Sequence, residues 1–126
     1  MDTIDKNNLK VLRLDNGDIL FSEVKVNPKT KDNGYLELNW PMKVLVKMDR
    51  DTDATHLALL KWLPFTDETA VPIAARCIIS ISNLGEEFKP FFLSTVEEAA
   101  TDNKQSELNR MSRILMEFDE NNALLN

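Results

Sequence analysis

The chain has 126 residues, of which 43% are hydrophobic and 29% charged, and its formal net charge is −6; that length suits one domain with a core of its own, not two. No apolar run approaches the ~18 residues needed to cross a bilayer, and the acidic start, Met1 to Asp5, is unlike a secretory signal. Net acidity also argues against indiscriminate binding to DNA or an anionic membrane, so a cytoplasmic protein is expected.

The charge is uneven. Residues 86–126 hold nine acids and four bases, so −5 sits there and −1 on the first 85 residues. A local basic patch on the nearly neutral part is therefore compatible with the overall acidity. The single cysteine, Cys77, cannot form an internal disulfide and lies in the apolar run Ile73 to Ile81, where a thiol behaves as a small hydrophobe.

Asn16-Gly17 and Asn33-Gly34 mark tight turns, because both residue types tolerate the positive φ of a two-residue hairpin. They separate three strands. Leu9 to Leu14 is the first. Ile19 to Asn27 is the second, with Leu20, Val24 and Val26 on one face and Glu23 and Lys25 on the other, followed by the polar loop Pro28 to Asn33. In the third, Leu36, Leu38, Trp40, Met42, Val44 and Val46 recur at period two, which predicts one buried face. Pro41 cannot donate to a ladder and predicts a bulge or bend there.

Beyond the loop Asp49 to Asp53, His56 to Phe65 is apolar on both faces, and in a small domain the second face is expected to meet another subunit. Pro72 to Ser82 forms the fifth strand, with Ile73, Ala75, Cys77, Ile79 and Ile81 inward. After Gly85 the period becomes helical. Ser94 with Glu97 and Thr95 with Glu98 have capping-box spacing, and Leu108, Met111, Leu115 and Phe118 make an apolar stripe. The expected organisation is a β unit over residues 1–85 and a helical extension over 86–126, both within one domain.

Catalytic chemistry is thin. His56 has neither a cysteine nor a second histidine near it, and three isolated turn glycines do not make a phosphate loop. Asp49, Asp51 and Asp53 alternate like the start of a calcium loop, but Ala54 stands where such a loop needs glycine and Leu60 where it needs the closing glutamate. No catalytic residue, metal or cofactor is expected. The set that could bind is Lys29, Lys31, Asn33 and Tyr35, with Lys25, Lys43 and Lys47 nearby. Lysines beside an aromatic suit a phosphate backbone with a stacked base, as in single-stranded RNA; lysines on exposed strands also simply blunt sheet edges.

Leu14-Asp15-Asn16-Gly17-Asp18 at the first turn, Asn39-Trp40-Pro41-Met42 in the long third strand, Trp62-Leu63-Pro64 closing the fourth and Ile73 to Ile81 in the fifth together resemble the Sm-like fold. They are similar to divergent Sm-like proteins of marine cyanophages, over Leu9 to Leu84. The resemblance implies a strongly bent five-stranded antiparallel barrel that forms a homo-oligomeric ring by pairing the fourth strand of one subunit with the fifth of the next. Leu57, Leu59, Leu60, Trp62 and Ile78 would lie at that interface. It also implies single-stranded RNA held by the loop between strands two and three, here Asn27 to Gly34, and by an Arg-Gly pair between strands four and five. The chain departs from the pattern at the second place, where Phe65-Thr66-Asp67-Glu68 puts two acids. Met1 to Asn8 likewise shows no stripe for the family's N-terminal helix. A structural or protein-interaction ring without nucleic acid is the alternative these departures favour.

Overall fold

A computed structural model describes residues 4–26, 33–101 and 104–121, apart from the side chains of 104–107 and 119–121. The strands are β1 (Leu9–Leu14), β2 (Ile19–Lys25), β3 (Tyr35–Met48), β4 (Thr55–Lys61), β5 (Ala70–Ala74) and β6 (Ile78–Asn83). Two helices follow, α1 (Lys89–Thr101) and α2 (Lys104–Asn121). Pairing is antiparallel along the path β4-β3-β2-β1-β6, and β5 pairs with β3. Since β2 holds one edge of β3, the other edge is shared in turn by β5, at Tyr35 to Asn39, and β4, at Met42 to Met48. The hydrogen-bonded path does not close on itself.

Among the described residues this gives six strands rather than the five expected. The single strand predicted over Pro72 to Ser82 is broken by a 3-10 turn at Ala75–Cys77, so β5 serves β3 and β6 serves β1. The break also undoes the predicted alternation: Ile73 is buried, but Ile79 and Ile81 are 64% and 44% exposed. The second strand ends at Lys25 and the fourth at Lys61, short of Asn27 and Phe65.

The third strand is where the sheet turns. Its 14 residues would reach about 45 Å if straight, so it has to bend. Phe21 pairs with Met42 and Glu23 with Asn39, leaving Trp40 and Pro41 opposite Ser22 alone; that is a β-bulge, one extra residue on one strand. Trp40 takes the left-handed conformation, φ 57°, and Pro41 has no N–H to leave unpaired.

The extra residue reverses which side chains face which way. Leu36 and Leu38 pack with Leu12, Leu14, Leu20 and Ile73 inside the bend, whereas Trp40, Met42 and Val44 pack with Leu9, Phe21, Leu59, Phe92 and Val96 on the outer face. The one face predicted from Leu36 to Val46 is thus two half-faces, and Leu45, placed outward by strict alternation, is buried. Both faces of β4 are covered within the chain as well: Leu59 is 0% and Leu60 4% exposed. A doubly apolar strand does not here require a second subunit.

The outer cluster is closed by α1, whose Phe92 and Val96 are fully buried against it, with Phe88 and Leu93 at its margin. The helix starts at Lys89, after a 3-10 turn at Glu86–Phe88, earlier than the capping boxes suggest. Thr95 lies inside the helix, where its Oγ1 donates to the Phe91 carbonyl at 2.9 Å instead of capping. The helical extension was correctly expected after Gly85, but α1 completes the core of the β unit.

Candidate interaction surfaces

The β2–β3 end of the sheet carries the predicted binding residues that can be placed. Asn33 is exposed in the turn and Tyr35 opens β3 at 37% exposure; Lys29 and Lys31 lie outside the described residues. Tyr35 alternates with Glu37 and the buried Asn39 on one face of β3, the same face as Lys25, whose register partner is Glu37. Lys25 Nζ also lies 3.9 Å from Glu23 Oε1, and Lys43 Nζ lies 3.4 Å from Asp18 Oδ1. These lysines therefore have acids beside them, which lowers the positive field they present to a polyanion.

One polar site escapes sequence reading. Glu23, assigned to an exposed face by alternation, is only 1% exposed. Its Oε1 accepts from Asn39 Nδ2 at 2.6 Å and its Oε2 from the Asp5 N–H at 2.8 Å. Ser22 Oγ, also buried, is within reach of the Glu23 and Asn39 carbonyls at 2.9 and 3.1 Å and donates to one of them. The group ties the segment before β1 to the bulge in β3 and gives the buried Glu23 carboxylate a donor at each oxygen. A glutamate between Ser22 and Val24 looks like any solvated strand residue, so no local pattern announces it.

The two ends of the sheet path carry the predicted oligomer residues. At β4, Trp62 N donates to the Pro41 carbonyl at 3.1 Å and Asp49 N to the Ala54 carbonyl at 2.8 Å. The odd residues of β3 thus make the hydrogen-bonded pairs, and Leu57, Leu59 and Lys61, which oppose even ones, turn N–H and C=O away from β3. At β6, Leu84 N donates to the Leu9 carbonyl at 3.0 Å. By the same alternation Ile81 and Asn83 turn theirs outward. Leu57 and Ile78 are half-buried, Ile78 packing on the inner cluster. Trp62 leans on that cluster too and points its Nε1 toward Asp18 Oδ2 at 3.4 Å.

The two edges are dressed differently. Arg110 of α2 donates from a terminal guanidinium nitrogen to the Leu59 carbonyl at 3.0 Å, while its Nε lies 3.6 Å from Glu98 Oε1 on α1. The β6 edge instead presents Ile79 and Ile81 to solvent. Sequence reasoning missed Arg110, since Leu59 and Glu98 lie 51 and 12 positions away, and it took Ile79 and Ile81 as core.

Between β4 and β5, Phe65 is 80% exposed and Asp67 and Glu68 are exposed beside it. Lys61 Nζ donates to the Thr66 carbonyl at 2.8 Å and Glu68 N to Thr66 Oγ1 at 3.1 Å, which shapes this loop. The Asp49 to Asp53 segment is a hairpin turn in which Asp49 Oδ1 accepts from the Asp51 N–H at 3.0 Å. That bond, first among the causes, holds the Asp49 carboxyl below its ordinary pKa. Among the described residues, no three His, Cys, Asp or Glu side chains are grouped to hold a metal ion, and no helix is long and apolar enough to cross a membrane.

No protein-family model matches the chain, and no curated protein is significantly similar to it.

Proposed function

We propose that the chain is a non-enzymatic, self-assembling module of Sm-like type, in which the β4 edge of one copy pairs with the β6 edge of the next to form a closed homo-oligomer. The observation that carries this reading is that, among the described residues, β4 and β6 end the path β4-β3-β2-β1-β6 with no further strand beside them, the β6 end being lined by the exposed Ile79 and Ile81. An exposed apolar edge strand is an aggregation template unless another strand covers it, and a closed ring covers every such edge. The ring then serves as a scaffold or protein-interaction platform. The acids beside Lys25 and Lys43 and the exposed Asp67 and Glu68 favour that role over nucleic-acid binding.

Single-stranded RNA is the second reading, favoured by the exposed Asn33 and Tyr35 beside the lysine-rich loop. Repeated around a rim, the weak contacts of Lys29, Lys31 and Tyr35 would add, and their attraction would fall steeply with salt. Sedimentation or light scattering of the purified chain tests assembly: a monomer mass across the micromolar range refutes it. Anisotropy of labelled single-stranded RNA at low salt separates the two roles. Binding lost in a Lys29→Ala, Lys31→Ala double variant supports RNA, and no signal leaves the interaction platform.

A further inference from the structure

The β4 edge that the proposed assembly needs is already occupied by the chain's own C-terminal helix. Leu59 turns its carbonyl outward from the sheet, and Arg110 takes it at 3.0 Å. The Arg110 side chain is itself only 14% exposed and is held from the other side by Glu98, 3.6 Å from its Nε. One guanidinium thus links α1, α2 and the sheet edge, using the fork of donors that only arginine offers. Further along, a groove lies between Ile114, Glu117 and Phe118 of α2 and Lys47, His56, Leu57 and Ala58 of the sheet. Adjacent residues of a strand point to opposite faces, so α2 passes β4 at Leu57 and Ala58 and reaches over the face that His56 shares with Lys47 of β3.

We infer that α2 is a displaceable guard of the β4 edge, with Arg110 as its latch, and that it must swing away before β6 of a second copy can pair there. The inference rests on the assembly reading above. Its physical basis is competition for the edge: the Arg110 guanidinium stands at the Leu59 carbonyl, where the N–H of a pairing strand would come, and Ile114 and Phe118 lie beside Leu57 and Ala58 of the same strand. Edge strands are commonly protected by such a cover. Among the described residues of this cover, Ile114 and Phe118 are only partly buried and Leu115 and Met116 face solvent. The guard and the second copy compete for one set of backbone groups, so weakening the latch must strengthen assembly by mass action.

The test follows the concentration dependence of assembly by analytical ultracentrifugation in the full-length chain, in Arg110→Ala, and in Arg110→Ala combined with Ile79→Lys. Removing a charge-assisted bond should move the assembly midpoint of Arg110→Ala to a roughly tenfold lower concentration. The charge at Ile79, on the other edge, should reverse that gain. If the parent assembles and Arg110→Ala assembles no better, the guard is refuted and the assembly reading stands. If neither assembles, the assembly reading falls and the guard with it. Should near-ultraviolet circular dichroism show Arg110→Ala to be misfolded, Glu98→Gln replaces it. Its carboxylate is 57% exposed and frees the guanidinium from one hold, so the same downward shift is expected, and no shift refutes the latch.

Discussion

The two hydrophobic clusters lie back to back across one bent sheet, yet they are closed by different means. The inner cluster of Leu12, Leu14, Leu20, Leu38 and Ile73 is enclosed by the sheet itself, because β3 bends and β5 and β6 follow it round. The outer cluster is open until α1 lays Phe92 and Val96 on Leu9, Phe21, Trp40, Met42 and Leu59. The difference shows that the helical extension is part of the core on one side only. It also shows that the bulge at Trp40 and Pro41 apportions β3 between the clusters.

The largest expected effects sharpen this comparison directly. Phe92→Ala empties the centre of the outer cluster and should cost about 3–5 kcal/mol, with loss of helical signal as α1 detaches. Leu38→Ala empties the inner one and should cost about 2–5 kcal/mol with the helix retained until global unfolding. If the clusters are energetically separate, the double variant should be additive within about 0.5 kcal/mol in urea unfolding. A larger interaction term would mean that the sheet transmits strain between its faces.

A smaller effect is expected where the outer face meets the bulge. Glu23→Ala leaves the Asn39 amide and the Asp5 N–H without their acceptor in a buried site and should cost about 1–3 kcal/mol. Hydrogen exchange of the Asp5 amide should rise more than that of the inner strands. A variant as stable as the parent would show that the cluster is not part of what holds the bend.

The smallest effect comes from the turn at the far end of β3. Asp49 is half-buried in that turn, and its carboxyl is held below the ordinary 3.8, first by the Asp51 N–H. A carboxylate with a lowered folded pKa adds stability that is present above its unfolded value and is lost as pH falls through the folded one. Asp49→Asn should therefore slightly reduce stability at neutral pH and flatten its decline at acid pH. Urea midpoints taken down the acid range check this, and an unchanged slope would remove the turn from the acid response.

Much of the sheet is legible from residues alone. Asn16-Gly17 and Asn33-Gly34 do form the turns, with both glycines at positive φ, and the helices begin where the apolar period changes after Gly85. Even the bend was readable at Pro41, because a residue without an N–H cannot sit quietly in a central ladder. The direction of side chains beyond that bend was not. A period-two pattern counts positions, and one extra residue inverts every face that follows.

What the sequence by itself determined, then, is the two Asn-Gly turns, the run of strands as far as β4 and the change to helix after Gly85, because those depend on neighbours in the chain and on the conformations that Gly, Pro and alternating apolar residues allow. The tertiary structure alone decided that Glu23 is buried and that Ile79 and Ile81 are left outside. It decided as well that both faces of β4 are filled and that Arg110 reaches the Leu59 carbonyl. Each of these depends on which distant segment comes to lie beside a residue, a matter of packing geometry across the whole sheet that no local spacing encodes.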